Sequence, residues 1–276
     1  MAQLAETAKT LGYLAIAGCI GLGVMNCSLV GEVGCDPLYD SWCEEPVVIS
    51  SMSYGGQTYR TAKIGSQTWM AENLNYKAPG SKCFGEGGTS IIYDEGIGYD
   101  VERTLSDAEV QANCERYGRL YDWSTALTVC PSGWHLPSND DWHELLRYVD
   151  RKNGGNGIEF EDYYYSYTAS RYLKATTGWK EIRVVDINGN SGVRYNNGID
   201  KYDFSALPGG SGYVDFFSDG SLHYSDVGDF GYWWSTTNGS RSIADGRVMA
   251  YRGESVDWFD NDDESSGLLS VRCLQD

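Results

Sequence analysis

From Cys130 to Val149 the chain reads CPSGWHLPSNDDWHELLRYV. Trp142, Leu145, Leu146 and Val149 recur at i, i+3, i+4 and i+7, a single apolar stripe that predicts an amphipathic helix. Ser138 can cap it, and Asp140 and Asp141 fall in the first turn, where the helix dipole favours anions. Asn153-Gly154-Gly155 stops it. Just upstream, Trp134, His135 and Leu136 read as a short strand-like plug of large side chains. Most of the remaining pattern has period two. Gln57–Ile64 and Gln67–Leu74 alternate on either side of Gly65-Ser66, which predicts a hairpin with a Gly-first two-residue turn and with Trp69 and Leu74 buried. Residues 76–98 read as loop. Ser106 with Glu109 is a capping box opening a helix that Gly118 ends.

In the last third, Val214–Phe217 and Ser221–Tyr224 flank Asp219-Gly220 and predict a second hairpin. Gly231–Thr237 is a strand whose adjacent Trp233 and Trp234 point to opposite faces, so at least one faces a core. Arg247–Tyr251 and Leu268–Leu274 are further strands, and Ser170–Thr176 is a short helix. Asp186–Gly192 has the look of a calcium loop, but Ser191 and Asn197 stand where an EF-hand needs Gly and Glu, so it is read as a turn.

Composition sharpens this picture. The 276 residues include 34 Gly, 21 Tyr and 9 Trp, which suits a sheet- and turn-rich protein with an aromatic core. The net charge of −18 argues against nucleic acid as a partner, because a phosphate backbone would be repelled. The eight cysteines include no CxxC pair, so zinc and thioredoxin-type chemistry are not indicated and disulfides in an oxidising compartment are.

Leu11–Val30 carries no charge and reads as an export signal or a membrane anchor. Ile16-Ala-Gly-Cys19 resembles a bacterial lipobox, which makes Cys19 one lipidation candidate. Val24-Met-Asn-Cys27 fits less well, yet lipidation at Cys27 leaves an even set of six cysteines. Residues 1–27 are therefore read as signal or anchor. Residues 28–53 are read as a linker, either plain or closed into a small Cys35–Cys43 loop, and residues 54–276 as the domain.

Several phrases recur together in fixed order: Ile64–Leu74 (IGSQTWMAENL), Tyr117–Trp123 (YGRLYDW), Cys130–Ser138 with Trp142, Phe204–Gly210 (FSALPGG), Tyr232–Thr236 (YWWST) and Ser270–Cys273 (SVRC). Together they resemble the Fibrobacter succinogenes major paralogous domain family, over about Gln57 to Leu274. That family is similar to C-type-lectin-like domains. The resemblance implies an α+β fold of curved antiparallel sheets, two or three helices and long loops, with the two ends of the domain side by side in one sheet. It further implies a Cys130–Cys273 disulfide, with Cys83–Cys114 as a second pair. It implies no activity and no site residues. Residues 158–200 and 240–266 carry no shared phrase.

For chemistry, His135 is read as structural, and His143, off the apolar stripe, and His223 as solvated. No nucleophile elbow, zinc-protease helix or phosphate-cradling loop occurs. The tyrosine run Tyr163, Tyr164 and Tyr165 is either a sugar-stacking platform or a packing patch. Asp257, Asp260, Asn261, Asp262 and Glu264, beside Trp258, either hold calcium through hard oxygen ligands or form a charged loop. The resulting expectation is an exported, lipid-anchored surface module that binds a glycan or a surface protein without catalysis. The alternatives are a self-associating structural subunit, and an enzyme on the scaffold of formylglycine-generating oxidases.

Overall fold

The computed structural model describes residues 47–94, 96–160, 163–185, 191–194, 197–216, 219–236, 244–261 and 267–276. Its first elements are strands β1 (Val48–Tyr54), β2 (Gln57–Ile64) and β3 (Gln67–Met70). The predicted β2–β3 hairpin is present, with Ile64 opposite Gln67 across Gly65-Ser66. A second tight turn, Gly55-Gly56, joins β1 to β2, so ordered structure reaches into the stretch read as linker. Within the stretch read as loop lies β4 (Thr89–Asp94), paired with β5 (Tyr99–Arg103).

Helix α1 (Asp107–Tyr117) follows, with both halves of the Ser106/Glu109 capping box formed. Strand β6 (Leu120–Tyr121), helix α2 (Trp123–Ala126) and strand β7 (Trp134–His135) lead to α3 (Asn139–Asn153). The α3 stripe behaves as its periodicity requires: Trp142, Leu145, Leu146 and Val149 are all fully buried. Ser138 and Asp141 close a capping box, and Gly154 ends the helix in the left-handed conformation.

Two local hairpins come next, β8 (Gly157–Phe160) with β9 (Tyr163–Ser166), and, after α4 (Ala169–Leu173), β10 (Ile182–Val185) with β11 (Ser191–Arg194). The chain then runs through β12 (Gly209–Val214), β13 (Leu222–Val227), β14 (Phe230–Ser235), β15 (Ala244–Ala250), β16 (Asp257–Asn261), β17 (Gly267–Ser270) and β18 (Leu274–Gln275). The described residues thus form a mixed α+β, sheet-rich fold with four short helices. This is one helix more than expected, and three strand pairings run parallel where the expectation was antiparallel throughout.

Two sheets carry the architecture. One has the order β1-β2-β3-β18-β7; the other runs β16-β15-β14-β17-β12-β13-β4-β5, with β6 on β17. In the first sheet Leu274 pairs with both Trp69 and His135, so a C-terminal strand sits between two much earlier ones. The Cys130–Cys273 disulfide fastens this arrangement, and Cys83–Cys114 ties the loop before β4 to α1. Disulfides of this kind form in an oxidising compartment, which agrees with export. Cys19, Cys27, Cys35 and Cys43 lie outside the described residues.

Both tryptophans of β14 are fully buried, because the strand is covered on both faces. Trp233 joins the core around α3 with Trp69, Trp142 and Phe204. Trp234 joins a second core with Tyr121, Leu136 and Val271, and its ring is tilted against that of Trp123 with centroids 5.2 Å apart.

Candidate functional site

The recurring phrases converge on the interior. Asn73, from the first of them, accepts hydrogen bonds on Oδ1 from Trp233 Nε1 and Arg272 Nη2, both at 2.8 Å. Its Nδ2 donates to the Tyr117 carbonyl at 2.9 Å and to Ser270 Oγ at 3.3 Å. Arg272 also donates to the carbonyls of Phe204 and Ser205, and its guanidinium lies 4.3 Å from the centre of the Phe204 ring. Complete burial pulls that guanidinium below its ordinary pKa. One buried side-chain network therefore joins five of the six phrases.

Two glycines of those phrases have steric reasons. Gly118 has φ +78°, and a Cβ there would lie 2.8 Å from the Leu74 carbonyl. Gly210 has φ +67°, and a Cβ would lie 2.4 Å from the Ser225 carbonyl. Arg119 reaches Ser81 and pairs with Glu86 at 2.9 Å, with Nη1 at 3.3 and 3.4 Å from the two sulfurs of Cys83–Cys114. These residues build the scaffold. The chemistry at the surface lies elsewhere.

An open groove of about 920 Å³ lies among five segments distant in sequence. The β4–β5 hairpin supplies Ile92, Tyr93 and Arg103, and α1 supplies Glu109, Asn113 and Arg116. Gly178–Glu181, Val227–Asp229 and Tyr251-Arg252 complete it. Backbone bonds lock the last three segments together: Lys180 N–H donates to the Gly228 carbonyl at 2.9 Å, and Tyr251 N–H to the Asp229 carbonyl at 2.7 Å. Lys180 is the centrepiece. Its Nζ pairs with Asp229 at 2.9 Å and lies 4.5 Å from the centre of the Tyr93 ring and 5.6 Å from that of Tyr251. Burial pushes the Asp229 carboxyl above its ordinary pKa despite the neighbouring ammonium. Arg103 grips Glu109 through both nitrogens, which, with the Ser106 cap, holds that carboxyl down at about 2. Tyr93 is 47% exposed, an aromatic face open to a ligand. The arrangement offers rings for stacking, fixed charges and hydrogen-bonding groups, the mixture that ligand sites use.

The residues singled out from the sequence lie apart from this groove. Tyr163, Tyr164 and Tyr165 are successive residues of β9, whose neighbours alternate between faces. Tyr164 is engaged in packing: its hydroxyl donates to Asp150 Oδ2 at 2.9 Å, and the Arg147 guanidinium lies 5.2 Å from its ring centre. Burial and the Asp150 bond push this phenol up to about 12. Tyr165 is half-buried and meets Tyr167 edge-to-face at 4.6 Å.

Asp257–Asn261 is strand β16 rather than part of a loop, paired with β15 from Val248 to Ala244. Asp257, Asp260 and Asn261 are residues of this strand. Asp257 accepts a hydrogen bond from Ser255 Oγ at 3.2 Å, and Trp258 is half-buried. Asp262 and Glu264 lie outside the described residues. Among the described residues no group of three His, Cys, Asp or Glu side chains could hold a metal ion.

His143 corrects the sequence reading most sharply. It lies off the helical stripe yet is 3% exposed, because β9 and β15 cover that flank of α3. Its Nε2 accepts from Tyr164 N–H at 3.1 Å and from Arg247 Nη2 at 3.0 Å, which fixes the neutral form with the proton on Nδ1. Burial, then the charges of Arg247 and Arg147, push its pKa down to about 4. The unfolded chain binds a proton near pH 6.5 that the native chain refuses until about pH 4. Stability from this group is complete above pH 6.5 and falls as the pH drops through that window, by about 3 kcal/mol at most. Urea midpoints from pH 7 to 4 should therefore fall more steeply for the parent than for His143→Gln; parallel curves refute the assignment. His223, also read as solvated, is half-buried, with its ring nitrogens 3.0 Å from Thr89 Oγ1 and 2.7 Å from Ser221 Oγ. His135 sits between carboxylates, 2.7 Å from Asp276 and 3.5 Å from Asp141.

A family model described as the Fibrobacter succinogenes major domain matches residues 62–275. The chain belongs to this family. The match begins late in β2 and ends in β18, so this Fibrobacter succinogenes major domain includes the second sheet, the first sheet apart from β1 and the start of β2, the groove, and the Cys83–Cys114 and Cys130–Cys273 disulfides. No curated protein and no solved structure matches the chain.

Proposed function

We propose that this Fibrobacter succinogenes major domain is an exported, non-catalytic binding module, of C-type-lectin-like fold, held at the bacterial cell envelope through a lipid on Cys19 or Cys27 or through the apolar segment itself. Its ligand, a glycan or a neighbouring surface protein, is taken in the groove around Lys180. The single observation behind this reading is the exposed Tyr93 ring beside an ammonium that is also held by Tyr251 and Asp229. Such a pairing presents a flat apolar face and directional charges in a site already locked by backbone bonds, so little ordering cost remains for binding. The fold reading rests on the two ends of the domain meeting in one sheet, with β18 between β3 and β7. Envelope placement rests on the N-terminal sequence together with the disulfides.

A glycan array and a pull-down from envelope extracts test the reading. A ligand retained by the parent should bind about tenfold more weakly to Tyr93→Ala, roughly 1.4 kcal/mol of lost stacking. Retention that Tyr93→Ala leaves unchanged removes the groove from the account.

A further inference from the structure

We infer that the groove takes an acidic saccharide, a sugar chain bearing carboxylates spaced one to a residue or wider; this rests on the binding role proposed above. The carrying observation is a pair of arginines with no ion-pair partner among the described residues, in the groove of a strongly acidic chain. The chain as a whole is −18; the groove is lined by four cations, Arg103, Arg116, Lys180 and Arg252, and by Glu109, Glu181 and Asp229, with Asp94, Asp100 and Asp226 acting on it from close by.

Two of the cations are internally spent, Arg103 on Glu109 and Lys180 on Asp229. Arg116 and Arg252 make no ion pair among the described residues. Their contacts are with rings, Arg116 at 5.2 Å from the centre of Tyr117 and Arg252 at 5.1 Å from that of Tyr251. Arg116 reaches the groove at Gly178, whose missing side chain makes room: a Cβ there would stand 3.2 Å from Arg116 Nη2. Two guanidiniums laid over rings keep their planar donor edges for an acceptor, and a carboxylate is the acceptor whose two oxygens match that fork.

The carboxylates of the groove set the other limit. Glu109, Glu181 and Asp229, backed by the acidic surface beyond, repel a polyanion of dense charge such as a heavily sulfated chain or a nucleic acid. Sugar hydroxyls suit Asn113, Asp229 and Glu181, and the apolar face of a pyranose suits Tyr93. A uronic-acid oligosaccharide satisfies all three demands at once.

The test is titration calorimetry of the full chain with a galacturonic-acid hexamer, a neutral glucose hexamer and a sulfated hexasaccharide, at low and at physiological salt. The galacturonate hexamer is expected to bind at least tenfold more tightly than the neutral one, and to weaken as salt rises. Arg252→Gln and Arg116→Gln are each expected to lower galacturonate affinity about tenfold and to lower neutral-sugar affinity much less. Arg252→Lys should recover only part of the loss. Neutral binding as tight as acidic, still lost in Tyr93→Ala, overturns the acidic specificity and leaves the groove as the site. Tightest binding of the sulfated sugar overturns the carboxylate assignment. If none of the three sugars binds, while a protein ligand from the pull-down is lost in Tyr93→Ala, the saccharide class is wrong and the groove stands. If Tyr93→Ala also leaves that ligand bound, the binding reading fails with it.

Discussion

Asn73→Ala is expected to lower stability by roughly 4 kcal/mol, since each buried polar partner left unsatisfied costs about 1–3 kcal/mol. Four partners lose a hydrogen bond: Trp233 Nε1, Arg272 Nη2, the Tyr117 carbonyl and Ser270 Oγ. Water has little access, because Asn73 is 7% exposed, and Trp233 and Arg272 are buried almost completely. The loss should exceed any single-bond value because Arg272 is charged, and a buried guanidinium that loses an acceptor has few ways to be compensated. Urea unfolding followed by tryptophan fluorescence measures it, and the thermal midpoint should drop by about 10 °C for a domain of this size. Asn73→Asp, which keeps an acceptor for Trp233 and Arg272 but loses the donor to Tyr117, should fall in between. An Asn73→Ala protein within about 1 kcal/mol of the parent would mean that the network is not what holds the phrases together.

Removing the Cys130–Cys273 bond, as Cys130→Ala/Cys273→Ala, is expected to cost about 5 kcal/mol in the chain-entropy picture. The bond closes a loop with a sequence separation of 143, against 31 for Cys83–Cys114, whose loss should cost about 4 kcal/mol. The longer bond also has a mechanical role. Cys273 precedes β18, and β18 reaches β3 and β7 through only a few paired residues. Without the covalent tie, so short a strand has little to hold it between its neighbours, and the first sheet should open before the second. Hydrogen exchange of the double variant should show β18 and β7 losing protection first. Equal urea midpoints for parent and double variant would contradict the prediction.

Features whose causes are local could be read from the sequence. Helix α3 is specified locally by its cap, first-turn carboxylates, stripe and terminal glycine, α1 by its capping box and Gly118, and the β2–β3 hairpin by alternation on either side of Gly65-Ser66. The Cys130–Cys273 pair came from resemblance, since no local feature selects it among six cysteines. His143 was misread because its cover comes from β9 and β15, which helical periodicity does not see. The charged residues of β16 suggested a loop, while its partner β15, which makes it a strand, carried the evidence to the contrary. Strands β4 and β5 were missed because Thr89–Asp94 and Tyr99–Arg103 alternate weakly. Gly55-Gly56, between β1 and β2, is itself a local hairpin signal. The groove was the least legible feature: its residues come from segments between Ile92 and Arg252, each unremarkable alone, and only the pairings of β13, β14 and β15 bring them together.

The position of β18 also sets a timetable. A polypeptide delivered from its N-terminus presents β1, β2, β3 and β7 long before the strand that must lie between them. Until residues 267–276 arrive, the first sheet is missing its middle, and the second lacks β17 between β14 and β12. A chain threaded through a membrane pore in extended form would therefore stay pliable until residues 267–276 had crossed. It would then complete both sheets in one late step and oxidise Cys273 last.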